Sequence, residues 1–197
     1  MRLVVVRHAE PRPASTLAED GLTERGRAQA LALGAPLSDL GAALIIASPT
    51  PRATETATLA GLPFEVNAAF EKFRYGGGEV GERRDFDFPL WDADHRATPD
   101  GESLGEFHER VASGFRELIE GSPDGTAVVI AHGGVIQVAA RLAWGLGPSD
   151  PWLADIATPP ASITEFTFRP HPSGQREARL VRLGDCSHLA ALDAVEG

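Results

Sequence analysis

The sequence predicts an α/β protein, a three-layer α/β/α sandwich around a mostly parallel sheet. Two observations carry that reading. Short apolar runs rich in β-branched residues alternate along the 197-residue chain with longer stretches whose apolar residues recur at helical spacing. Three of the short runs also end abruptly in polar, chemistry-bearing residues, and open parallel sheets gather their ligands beyond the carboxyl ends of their strands.

Each element follows in order. Residues 2–6 (Arg-Leu-Val-Val-Val) predict a buried strand that stops at Arg7-His8. Residues 22–40, opened by Thr23-Glu24 and rich in Ala, Leu, Arg and Gln, predict a helix. Residues 42–47 predict a second strand, and Ser48-Pro49-Thr50-Pro51 turns the chain into a helix over 52–60; residues 64–66 predict a short third strand. Residues 67–101 interrupt the alternation with Gly76-Gly77-Gly78, a charged stretch from Glu79 to Asp87, and Trp91 among aspartates, and so predict a lid or insert within one domain spanning 1–197. Regularity returns at Ser103, where Ser103 and Glu106 have the spacing of a capping box and Leu104, Phe107, Val111, Phe115 and Leu118 recur at helical intervals. A strand over 126–131, a helix over 135–144 and two closing strands over 163–168 and 179–183 complete the chain.

Composition narrows the function classes. A single cysteine, Cys186, excludes an internal disulfide and a cysteine-ligated zinc site, and a reducing cytoplasm is the expected location. No apolar run approaches the roughly 20 residues of a membrane span, and the N-terminus lacks the apolar core of a signal peptide. The net charge of −10 argues against nucleic acids and anionic membranes as partners. Of the 18 basic residues only Lys72 is a lysine; base composition of the genome explains such a bias, yet single arginines remain apt phosphate ligands because the guanidinium fork fits a phosphate.

The three predicted strand ends carry Arg7-His8, Ser48 to Arg52, and His132-Gly133-Gly134. Phosphoryl transfer is mainly positioning and charge neutralisation. Two arginines can fork the phosphoryl oxygens, and a neutral histidine can attack phosphorus and carry it as phosphohistidine. Two glycines at a helix start let backbone N–H groups approach an anion. Taken singly, His8 reads as a satisfied strand-end histidine, Arg7 and Arg52 as surface ion pairs, and His132 as turn chemistry. Four such groups at the ends of one sheet point to a phosphate pocket.

At this point the chain resembles a known family. Leu3-Val4-Val5-Val6-Arg7-His8-Ala9-Glu10 is similar to the Arg-His-Gly motif of the histidine phosphatase superfamily, which has the phosphoglycerate mutase-like fold. The resemblance continues in order through Leu22-Thr23-Glu24-Arg25-Gly26, Ser48-Pro49-Thr50-Pro51-Arg52-Ala53-Thr54-Glu55-Thr56-Ala57, Gly101-Glu102-Ser103, Ala131-His132-Gly133-Gly134, Ala161-Ser162-Ile163-Thr164 and His188-Leu189. It implies that His8 is the nucleophile, that Arg7, Arg52 and His132 hold the phosphoryl oxygens, and that an acid in the segment from Phe70 to Gly76 protonates the leaving group. Glu71 matches that acid; its ordinary reading is a solvated partner of Lys72 or Arg74, and Glu79 and Glu82 are the other candidates.

Two departures bear on substrate. Ala9 replaces the family's glycine, a change that a negative φ tolerates. Only thirteen residues separate His8 from Leu22. Pro11-Arg12-Pro13-Ala14 lacks the Asn and the Arg-x-Gln-Gly-like segment of mutases and sugar-phosphate phosphatases, leaving Arg12, Ser15 or Thr16 to take part of that role. The shortness resembles the small phosphohistidine-protein phosphatases, whereas the 70–105 region resembles the small-molecule phosphatases.

Other features read as structural. Asp92-x-Asp94-His95 lacks a second histidine at ligand spacing, so no metal site is expected. His108 reads as a surface or boundary residue of its helix, His171 as a turn residue without a partner, and His188 as a C-terminal packing residue. Gly76-Gly77-Gly78 reads as a hinge, since no Lys-Ser/Thr follows. Arg83-Arg84 reads as part of an ion-paired lid, and Ser48 lacks the elbow of an esterase nucleophile.

The expected function is a metal- and cofactor-independent phosphatase acting on a small phosphorylated metabolite through phosphohistidine at His8. The alternatives are a protein phosphohistidine phosphatase, a non-catalytic phosphate-binding module and, least supported by the short chain, a phosphoglycerate mutase. The sequence names neither the substrate nor the oligomeric state, with a homodimer among the options.

Overall fold

The computed structural model describes residues 1–13, 20–76, 92–96, 98–121 and 124–193. Ser15, Thr16, Gly77, Gly78, Glu79, Glu82, Arg83, Arg84 and Trp91 lie outside the described residues.

Six strands form one mixed sheet, β1 (Arg2–Arg7), β2 (Leu44–Ala47), β3 (Glu65–Val66), β4 (Thr126–Ala131), β5 (Ile163–Pro170) and β6 (Arg176–Asp185). Their order is β3-β2-β4-β1-β5-β6. The first four are mutually parallel, and β5 and β6 add an antiparallel hairpin at the β1 side. Both faces are covered. Successive residues of β1 point to opposite sides: Leu3 and Val5 enter one core with α4 (Leu104–Gly121) and α5 (Gly133–Ala143), while Val4 and Val6 enter the other with α1 (Glu24–Ala32) and α2 (Gly34–Ser38). A strand buried on both sides reads as a continuous apolar run instead of an alternating one, as β1 and β4 do.

The helices follow their local chemistry. The hydroxyl of Thr23 caps α1 by accepting from the N–H of Gly26 at 2.9 Å. A side chain at Gly26 would lie 2.2 Å from the carbonyl of Glu10, so only glycine lets α1 seat against the loop after β1. The single helix expected over 22–40 is two, broken at Leu33 because Gly34 opens α2 and Pro36 has no N–H to continue the ladder. A third helix on this side, α3 (Pro51–Leu59), begins with proline in its first turn. The capping box is formed: Ser103 Oγ accepts from Glu106 N–H at 3.2 Å, and the Glu106 carboxylate accepts from Ser103 N–H at 2.9 Å. A short C-terminal helix, α6 (Ala190–Asp193), ends the described chain.

Three expectations are corrected. His108 is fully buried, because it stands four residues after Leu104 and four before Ala112, on the apolar stripe of α4. His171 has a partner, the Ser173 hydroxyl at 2.8 Å. The start of the 67–101 segment is part of the body of the protein, since Phe70 is buried in the core and Asn67 caps a 3-10 turn over Ala68–Phe70. Gly76, expected in a hinge, has φ +72° and stands against Gly101, where any side chain would meet its backbone at 2.5 Å. Among the described residues no helix is long and apolar enough to cross a membrane.

Candidate active site

The site exists because β2, β4 and β1 are neighbours with their carboxyl ends level. Arg7 pairs with Ala131, and Ala47 with Ile130. The backbone ladder runs one residue further, with His8 N–H donating to Ala131 O at 2.8 Å and Ser48 N–H to Ile130 O at 2.9 Å. His8, Ser48 and His132, far apart in the chain, therefore leave the sheet side by side. The His8 and His132 rings are 5.2 Å apart and edge-to-face. Arg52 enters from the first turn of α3, which follows β2.

The tautomer of His8 is set by its neighbour. Nδ1 lies 2.8 Å from the carbonyl oxygen of Ala9, which can only accept, so Nδ1 carries the proton and Nε2 keeps its lone pair. Arg52 Nε donates to that Nε2 at 3.1 Å. Burial, reinforced by the charges of Arg52 and Arg7, lowers the His8 pKa to about 3, so the ring is neutral at physiological pH. His8 is thus a desolvated, neutral imidazole. Ala9 is buried and has a negative φ, so the missing glycine costs the backbone nothing. Ala161 instead holds the left-handed conformation, at φ +57°, and its N–H donates to the carbonyl of His8 at 3.1 Å.

His132 is held from both sides. Its Nε2 is 2.8 Å from Ser48 Oγ and 3.3 Å from Thr50 Oγ1, and its Nδ1 is 3.4 Å from Arg52 Nη2. Burial, with the charges around it, pushes its pKa well below the usual histidine range. Gly133 and Gly134 open α5 instead of preceding it, and both face the cavity. A side chain at Gly134 would press on the Phe107 ring at 3.2 Å. Arg7 donates to the carbonyl of Thr158, which ties the loop after α5 to the phosphate end.

A cavity of about 230 Å³ contains Arg7, His8, Arg52 and His132 at one end, with Lys72 beside them, and Phe73, Phe107 and Trp152 in its wall. Four of the five predicted site residues are therefore assembled. Glu71 is not among the residues facing the cavity: its carboxylate pairs with Arg74 at 2.8 Å, while Lys72 and Phe73, next in the chain, do face it.

Several contributors escape a sequence reading directed at cations and nucleophiles. Asp20 is 5% exposed and accepts from Arg52 Nη1 at 2.6 Å with both carboxylate oxygens. Ser48 and Thr50 stand in the Ser48–Arg52 turn that the sequence had already brought to the site, yet their role toward His132 depends on strand adjacency. Glu102 of the Gly-Glu-Ser segment has a structural role. It binds Arg110 at 2.6 Å, and Arg110 in turn donates to the carbonyls of Ala68, Ala69, Glu71 and Lys72.

The fold has known relatives. The family model for the histidine phosphatase superfamily (branch 1) matches residues 3–180. The chain belongs to that superfamily, and its enzyme class is phosphoric monoester hydrolase. The solved structure of the product of open reading frame Rv3214 from Mycobacterium tuberculosis is 28% identical over 93% of this chain and 96% of its own, with a TM-score of 0.73. The mycobacterial glucosyl-3-phosphoglycerate phosphatase Rv2419c, in complex with inorganic phosphate, is 25% identical over 96% of this chain and 99% of its own, at TM-score 0.74. Phosphoserine phosphatase from Entamoeba histolytica, with 3-phosphoglyceric acid, shares the fold at TM-score 0.72 and 19% identity over 95% of this chain and 98% of its own. No curated protein matches the sequence significantly.

Proposed function

We propose that this protein hydrolyses phosphomonoesters of small metabolites through a phosphohistidine on Nε2 of His8. The observation that carries the reading is the Nδ1–H···O=C bond from His8 to Ala9, which leaves a neutral Nε2 lone pair aimed at the arginine that would hold the phosphoryl group. The resemblance in fold and sequence to a glucosyl-3-phosphoglycerate phosphatase supports a small-molecule substrate.

In the first half-reaction the phosphoryl oxygens take the N–H groups of Arg7 and Arg52, and Arg52 gives up its contact with Nε2. The lone pair attacks phosphorus in line, the bond to the leaving oxygen breaks, and Glu71 supplies the proton to the departing alkoxide. Glu71 acts once it leaves Arg74 and takes up a proton from solvent, the proton it then gives to the leaving oxygen. In the second half-reaction Glu71 takes a proton from water, the hydroxide attacks phosphorus, and the P–N bond breaks to return a neutral His8 and inorganic phosphate. Arg7, Arg52 and His132 balance the charge on the transferring group, so each step is served by side chains of this chain.

The test is phosphate release from a panel of phosphomonoesters, with and without chelator, together with trapping of the labelled enzyme by an alkaline denaturing quench. Wild type is expected to release phosphate and to trap an acid-labile, base-stable phosphoenzyme, and His8→Ala to do neither. Absence of release above the His8→Ala background would leave a phosphate-binding module, and chelator sensitivity would contradict the mechanism.

One observation favours a second reading. Glu71 is paired with Arg74, and an imidazole leaving group needs no acid, as in a protein phosphohistidine phosphatase. That reading predicts that Glu71→Gln keeps activity on phosphohistidine protein. The small-molecule reading predicts that Glu71→Gln slows alkyl phosphates far more than aryl phosphates.

A further inference from the structure

The two ends of the cavity are chemically unlike. At the phosphate end stand the arginines, the histidines and Lys72, whose charge acts on both rings. Much of the remaining wall is aromatic. The Phe73 and Tyr75 rings are 5.0 Å apart, Phe73 and Phe107 5.7 Å, and Phe107 and Trp152 6.4 Å, all four facing the cavity. These rings are fixed: Phe107 and Trp152 are buried, and Arg141 stacks on Trp152 with 4.8 Å between guanidinium carbon and ring centre.

Asp155 is the one acidic residue among the described residues that face the cavity. It is an anion, and its Oδ1 accepts from Gln137 Nε2 at 3.0 Å. A leaving group bearing a carboxylate, such as glycerate or serine, would meet that like charge. An apolar ring would bury surface against these side chains and could pack edge-to-face as Phe73 already does on Tyr75 and Phe107.

From this wall, and resting on the phosphatase reading of the same cavity, we infer that the substrate is a phosphomonoester whose leaving group is an uncharged apolar ring, not one that carries a second anion. Phosphorus is held by the arginines and histidines, and the ring seats against Phe73, Tyr75, Phe107 and Trp152.

The experiment compares alkyl phosphates of similar leaving-group basicity, so that chemistry does not mask recognition. For the wild type, kcat/KM on 2-phenylethyl phosphate is expected to exceed that on glycerol 3-phosphate, 3-phosphoglycerate and phosphoserine by at least tenfold. Trp152→Ala and, at a half-buried position, Tyr75→Ala should each reduce that ratio to threefold or less, mainly through KM. Direct binding gives a readout independent of turnover: 2-phenylethylphosphonate should bind at least tenfold tighter than ethylphosphonate, and Tyr75→Ala should remove the difference. Equal values across the panel, with release still dependent on His8, would overturn the inference and leave the phosphatase reading intact. A preference for phosphocholine would overturn it too, by assigning the rings and Asp155 to a cation. Loss of all His8-dependent release would sink the phosphatase reading, and the phosphonate pair would then decide the inference alone.

Discussion

Two arginines in this molecule are nearly buried against a carboxylate, and they do opposite work. Arg52 and Asp20 are 14% and 5% exposed; Arg110 and Glu102 are 17% and 10% exposed. Arg110 spends its donors on backbone, bonding the carbonyls of Ala68, Ala69, Glu71 and Lys72 besides Glu102. It fastens the segment that carries Lys72 and Phe73 to α4, and it lies behind the cavity wall. Arg52 has the same kind of carboxylate partner but turns its remaining nitrogens to two histidines, which a phosphoryl group can replace as acceptors. A buried guanidinium is structural when its acceptors belong to the fold, and functional when some of them can be exchanged for substrate.

Substitution of the two arginines tests that contrast most strongly. Arg52→Ala should lower kcat/KM by about a thousandfold, the scale of losing a bidentate transition-state contact. It should move the urea midpoint less than Arg110→Ala does. Arg110→Ala should destabilise by about 3–5 kcal/mol, as breaking one side of a buried pair does, read as a drop in the urea midpoint. Turnover below the transition should then fall far less than for Arg52→Ala. If the two variants lose activity in parallel, the contrast fails.

Acid should weaken the histidine-rich side of the molecule. Burial holds His8 near pKa 3 and His108 near 4, and lowers His132 as well. Below pH 6.5 the unfolded chain binds protons that these folded rings refuse, so stability is complete above pH 6.5 and falls toward pH 3. His108 alone should account for about 3 kcal/mol between pH 6.5 and 4. His108→Asn should flatten the pH dependence of the urea midpoint by that amount, and nitrogen chemical shifts should show the His8 ring neutral down to pH 4.5.

The smaller effects refine the picture of Arg52. Asp20→Asn removes the charge that competes with substrate and loosens the guanidinium, so inhibition by inorganic phosphate should tighten severalfold while kcat falls about tenfold. Ser48→Ala removes one hydrogen bond from His132, worth about 1 kcal/mol, and should slow turnover about fivefold with KM little changed.

Much of this was legible in the sequence because it rests on local chemistry. The strands β1 and β4 are short apolar runs centred on β-branched residues, the Ser103–Glu106 cap needs four consecutive residues, and Arg7-His8 and His132-Gly133-Gly134 stand directly at strand ends. The break at Leu33 was readable too, in Gly34 and Pro36, but the helical composition around them outweighed it. His108 was misplaced because its neighbours in sequence are Phe107 and Glu109, whereas burial follows its neighbours three and four residues away.

The α/β alternation, the charge pattern and the meeting of Arg7, His8, Arg52 and His132 can be read along the chain, since each of these four groups is attached to a strand end or to the helix turn that follows one. What surrounds them follows from tertiary folding. Asp20 reaches Arg52, Thr158 reaches Arg7, and Trp152 reaches Phe107 across separations of 32, 151 and 45 residues. No periodicity records such distances, because they follow from the order β3-β2-β4-β1-β5-β6 and from the path of the loops over its edge. The same reason separates the two proposals: the proposed chemistry rests on residues at strand ends, whereas the proposed substrate preference rests on a wall that only folding assembles.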